Sequence, residues 1–271
     1  MVQRGNHLFA GCGNGKVRGM TLTGTAVGAE GQVGTPVVAV DHAQMVVFAS
    51  GGDGSGQGVV AFRDLGGTPQ VSTPLPPSSW NNGHRGIGLV ENSSGAVVFA
   101  VVSGVSGTDV DVQAHLGSGD FDTSPSAVET GGNVSRIASG RRSADANPAQ
   151  PVVLLDVFSG TARVWLGEDL AANRAAVKTV SSLGLAASAL QNTSRLRVKV
   201  SRDSTHAYLV STEDKVCRVS LEVGGAAAAE CRDIPSHATP CSPSDVAPRV
   251  GSGHTYVSCS SSRKVVAIQD F

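Results

Sequence analysis

The chain has 271 residues, with 21 Lys and Arg against 22 Asp and Glu, a formal charge of -1 at pH 7 and only 16% charged residues. No basic run follows a phosphate backbone, which sets nucleic acid aside as a partner. The apolar residues come in bursts far shorter than the ~20 that cross a bilayer as a helix, so no membrane span is expected.

Glycine, at 34 residues, is well above ordinary usage, and aromatics make up 4%. Many tight turns need that glycine, and the core must then be Val, Leu, Ala and Ile in thin, closely packed sheets. This length suits one all-β domain, and we expect residues 1–271 to form one. Position 1 leads into a strand within a few residues, without the segments of a signal peptide, so the chain reads as not exported or as a mature or trimmed form.

In chain order, one hairpin pattern recurs six times: HLFAGCGNGKVRGMTL (7–22), MVVFASGGDGSGQGVVAFRDL (45–65), AVVFAVVSGVSGTDVDVQAHL (96–116), PVVLLDVFSGTARVWLGEDL (151–170), HAYLVSTEDKVCRVSL (206–221) and HTYVSCSSSRKVVAIQDF (254–271). Each is an apolar strand, a Gly, Ser or Asp turn, and a second strand opening near Val or Ala. Aligned on Phe9, Phe48, Phe99, Leu154, Tyr208 and Tyr256, the members repeat every about 40 to 55 residues, the period of β-propeller blades.

Another short strand precedes five of the six: TPVVAVD (35–41), RGIGLVE (85–91), NVSRIAS (133–139), RLRVKVS (195–201) and SDVAPRV (244–250). Weaker segments come after them, such as PQVSTPL (69–75), AVKTVSSL (176–183) and AECRDI (229–234). Their prolines and charges suit an outer edge that must not recruit another sheet. Met1 to Arg4 supplies the first inner strand if that blade has one, and no outer strand comes after the last hairpin. Closure at the termini is therefore expected to be incomplete. Residues 182–194 suggest a short helix through Leu183, Leu185 and Leu190, and 140–150 an Arg141-Arg142-bearing loop.

Residues 35–65 and 195–221 carry an apolar inner strand, a turn, a large apolar pair, a Gly or Asn turn and a Val-led strand. In this they resemble the NHL-type, YVTN-type and lactonase-like β-propellers, and the resemblance spans essentially the whole chain. The Trp-Asp dipeptide of WD40 blades is absent. The expectation is an all-β propeller of six four-stranded blades, with seven as the alternative.

Propellers that this chain resembles place ligands at one channel mouth, on loops leading into the inner strands. Here those positions give Trp80, Asn82, His84, Arg85, Asn133, Arg195 and Asp245 as candidate binding residues. The stretch SSWNNGHRG (78–86) is the most site-like, with an aromatic platform beside hydrogen-bonding groups; a turn capped by Asn-Gly with Trp80 shielding a blade edge is the favoured reading. Lactonase-like members hold a divalent cation there with Glu, Asn and Asp. Asn82, Asn133 and Asp245 could stand in, but no Glu opens an inner strand. GGDGSGQG (51–58) joins two strands instead of opening a helix, so it reads as a hairpin loop and not a phosphate cradle. His7, His206 and His254 share one repeat position, which favours a structural role, and no local spacing compels a catalytic triad.

Four of the five cysteines lie between 217 and 259. Cys217 and Cys231 are centred on the Gly224-Gly225 turn, and Cys241 and Cys259 on the turn before His254. Both pairs fit disulfides across neighbouring strands, which would place the protein in an oxidising compartment, extracytoplasmic or secreted; buried reduced thiols are the rival reading. Sequons at Asn92, Asn133 and Asn192 are compatible with export.

The expectation for function is a non-catalytic module that binds other protein subunits, within a larger assembly or as an extracellular unit, with no cofactor and no metal. A metal-dependent lactonase or esterase is the alternative, and a divalent cation is expected only under it.

Overall fold

Strands form where the apolar bursts lie, and the Gly, Ser and Asp runs between them turn the chain. The computed structural model describes residues 2–4, 6–33, 37–42, 46–50, 59–63, 70–71, 84–91, 97–106, 109–116, 126–129, 134–140, 151–156, 160–166, 175–192, 195–201, 203–235, 240–249, 253–269 and 271. The chain divides into two compact units, Met1–Gly132 and Asn133–Phe271.

The first unit holds three antiparallel sheets. One is β1 (Val2–Arg4), β2 (His7–Gly11), β3 (Lys16–Thr21) and β4 (Ala26–Gln32); the next is β5 (Val37–His42), β6 (Val46–Ser50), β7 (Val59–Arg63) and β8 (Gln70–Val71); the third is β9 (His84–Glu91), β10 (Val97–Ser106), β11 (Asp109–Leu116) and β12 (Ser126–Glu129). Each strand pairs with its neighbour in sequence, so every sheet is a meander made by local turns. Phe9 of β2 and Phe62 of β7, both fully buried, meet with ring centroids 5.3 Å apart.

The second unit repeats the pattern with β13 (Val134–Ser139), β14 (Pro151–Asp156), β15 (Thr161–Leu166) and β16 (Lys178–Val180), then β17 (Arg197–Val200), β18 (His206–Val210), β19 (Lys215–Ser220) and β20 (Glu230–Asp233), and last β21 (Pro243–Arg249), β22 (His254–Cys259) and β23 (Lys264–Gln269). A single helical turn, α1 (Ala187–Gln191), sits between β16 and β17 and buries Ala189 and Leu190, within the segment expected to be helical.

Side chains alternate across a strand, so β18 sends its residues to two different cores. Ala207 and Leu209 enter one apolar cluster with Val164, Val180, Leu196 and Val219. Tyr208 and Val210 enter another with Val246, Val257, Val266 and Ile268. β18 is thus buried on both faces, which is why HAYLV is apolar almost throughout instead of alternating. Each fully buried Leu or Val contributes about 1.5–3 kcal/mol.

Two disulfides lock this unit. Cys217 and Cys231 lie directly opposite each other on β19 and β20, with Cα atoms 4.1 Å apart. Cys241 and Cys259 join the lead-in to β21 with the end of β22, at a Cα separation of 4.6 Å. Both pairings are those expected from hairpin arithmetic.

The six-bladed propeller, and its seven-bladed alternative, are corrected by this architecture. The described strands form separate small sheets of two compact units, five of four strands and one of three, and no closed sheet or propeller ring is formed among them. The hairpin repeat encodes pairing between strands close in sequence, which each sheet satisfies by itself. Ring closure depends on contacts between the first and last repeats, and periodicity carries no information about those.

Candidate functional site

In the second unit, β17, β19, β21 and β23 begin at the same end of their sheets at which β18 and β22 finish. The alternation in RLRVKV puts Arg195, Arg197 and Lys199 on one side of the chain and Leu196 and Val198 in the core. Arg197 is half-buried, and its Nη1 donates to the Leu196 carbonyl at 2.9 Å. The same carbonyl accepts from Nε of the buried Arg136 on β13, at 3.0 Å. Burial lowers the Arg197 pKa, the Asp245 carboxylate on β21 opposes that shift, and Arg195 adds to it.

Arg195 is exposed and donates from Nη1 to Ser260 Oγ at 3.2 Å. Ser260 Oγ donates in turn to the Ser242 carbonyl at 2.9 Å, and the Ser242 N–H donates to Asp214 Oδ1 at 3.1 Å. Ser242 holds a left-handed φ of 45°, a conformation that costs energy for a residue with a Cβ and that these bonds help to fix. Next to Asp214, Glu213 Oε1 accepts the Ala186 N–H at 2.9 Å. Hydrogen bonds therefore tie the lead-in to β17, the turn after β22, the lead-in to β21 and the turn between β18 and β19 into one polar rim beside Arg195.

Of the residues expected at a site, Arg195 and Asp245 both act electrostatically on Arg197. His84 and Arg85 open β9, where His84 pairs with Gly104. Trp80, Asn82 and Asn133 lie outside the described residues, as do 51–58 and 141–150. Sequence reading missed Arg197 and Arg136. The signal for Arg197 was present, since it stands two residues from Arg195 on the same strand face; Arg136 is recruited only by the packing of β13 beside β17.

The rim offers fixed guanidinium donors and one exposed carboxylate, groups suited to recognising charged and polar surfaces. Among the described residues, no group of three or more His, Cys, Asp and Glu is placed to hold a metal ion. No described helix is long and apolar enough to cross a membrane. No protein-family model matches the chain, and no curated protein matches it.

Proposed function

We propose that this chain is a non-catalytic all-β module that binds another protein, and that it matures in an oxidising compartment. The observation that carries the binding reading is the exposed Arg195, bonded to Ser260 beside the disulfide-linked β21 and β22, with the Asp245 carboxylate of β21 acting on the neighbouring Arg197. Arginine on a rigid support is favoured at protein interfaces, because its planar donors lose little freedom on pairing. The two cross-links argue for the compartment, since reducing cytosol does not sustain them.

The full chain purified from its source is expected to retain a protein partner. The Arg195→Glu variant, at the exposed position, should weaken that retention about tenfold or more while melting as the parent does. A monodisperse monomer that retains no protein overturns the reading.

A further inference from the structure

We infer that the outer edge of β23 is a docking site for an extended, acidic peptide segment of another protein, which adds to the β21–β23 sheet as an antiparallel fourth strand. This extends the module reading to a second surface and rests on it.

Three observations carry it. First, β21–β22–β23 is the three-stranded sheet among otherwise four-stranded ones, and β23 pairs only with β22 among the described residues. Its Lys264, Val265, Ala267 and Gln269 are exposed, Val265 at 68%, whereas β19, covered by β20, exposes none of its residues. An unpaired edge of this kind offers backbone donors and acceptors to an incoming strand.

Second, the charge needed on the incoming strand is written in the complete sheets. Lys16, Lys215 and Lys264 each open the third strand of their sheet, and each is followed by Val. In the two lysine-led sheets that have a fourth strand, it brings a carboxylate to the cations of the third. Glu30 of β4 bonds Lys16 at 2.8 Å and also Arg18; Glu230 of β20 bonds Arg218 at 2.7 Å; and Asp233 stands opposite Lys215. Lys264, with Arg263 beside it, is the one of the three without such a strand among the described residues.

Third, Phe271 is held away from that edge by the neighbouring sheet. Phe271 lies against the neighbouring sheet, with Arg218 4.8 Å and Arg232 5.2 Å from its ring and Tyr208 at 6.2 Å between centroids. The Arg218 guanidinium also donates to the Phe271 carbonyl oxygen at 3.4 Å. An incoming strand would place a carboxylate opposite Lys264 and an apolar side chain beside Val265.

The probe is a fluorescein-labelled peptide copying residues 228–234 with Cys231→Val, whose Asp233 is the native partner of Lys215. Added to the full chain, it should slow amide hydrogen exchange in β23 and bind less tightly as salt is raised. The Lys264→Glu chain should bind it about fivefold more weakly, and a peptide that also carries Asp233→Lys should recover affinity for that chain. Absence of protection in β23, protection confined to other strands, or an affinity indifferent to Lys264→Glu overturns the proposal. The two readings fail separately. A chain that retains no protein from its source yet binds the peptide at β23 removes the module reading and keeps the edge. A native partner held equally well by the parent and Lys264→Glu chains, with no peptide at β23, does the reverse.

Discussion

His206 opens β18 with its Nδ1 2.7 Å from Thr205 Oγ1, above a turn in which Asp203 Oδ1 accepts from Ser201 Oγ at 2.6 Å and from the Thr205 hydroxyl at 2.9 Å. His7 and His254 likewise open β2 and β22, so the position serves strand entry in three sheets. Burial pulls the His206 pKa down, as does Arg218, against Asp203, Glu222 and Glu230. Burial raises the Asp203 carboxyl, but the bonds from Ser201 and Thr205 outweigh it and leave it below the usual range. In both cases the unfolded chain takes up its proton first as pH falls, so stability rises with pH across each window. For His206 the loss begins below about pH 6.5, and for Asp203 below about pH 3.9. Urea midpoints of the second unit should therefore decline on acidification through pH 6, and His206→Gln should flatten that limb while the decline attributable to Asp203 persists. A parent midpoint unchanged between pH 7 and 5 would contradict the assignment.

At the scale of elements, a glycine outside any strand governs the first disulfide. Gly184 holds a φ of +73°, and a Cβ built there falls 2.1 Å from Cys231 Sγ and 3.2 Å from Cys217 Sγ. The turn after β16 thus packs its bare backbone on the cross-link between β19 and β20. Gly184→Ala meets both a left-handed backbone and a clash with atoms that are covalently held, and is expected to cost about 2–4 kcal/mol in chemical denaturation. Gly13→Ala, where a Cβ meets nothing within 4 Å, is the control and should stay within about 0.5 kcal/mol of the parent. The lysine of the same β16 strand is tied in as well. Lys178 is buried with its Nζ donating to the Ser220 and Glu222 carbonyls, each at 2.9 Å, and burial lowers its pKa. The strands themselves were legible: RLRVKV, HAYLV and KVCRVS carry their apolar pattern in one dimension. The seat of Gly184 on a disulfide some 30 to 50 residues away was not, because nothing local marks which turn a sulfur pair will meet.

For the whole molecule, cross-linking is uneven. The second unit contains both disulfides, closing sequence separations of 14 and 18, and the first contains only the free, exposed Cys12. Constraining the unfolded chain over loops of that size is worth about 3 kcal/mol each. Dithiothreitol should therefore lower the unfolding midpoint of the second unit, tracked through Trp165, and leave amide protection in the first unit unchanged. Under denaturing, non-reducing conditions one thiol of the five should react. Five reacting thiols would remove both the cross-links and the compartment they imply.

By itself the sequence determined what neighbouring residues decide: an all-β chain, hairpins at their observed places, the short helix between β16 and β17, and the cysteine pairs that a turn brings together. Each depends on side-chain alternation or on the centre of a turn, which are properties of a few dozen consecutive residues. The tertiary structure decided the rest. Separate sheets in two units replace a closed ring, Arg136 and Arg197 share the Leu196 carbonyl, and β23 pairs only with β22 among the described residues while Phe271 lies against the sheet before it. Those features depend on which faces pack against which, and sheets of similar apolar composition satisfy a local pattern equally well in more than one arrangement.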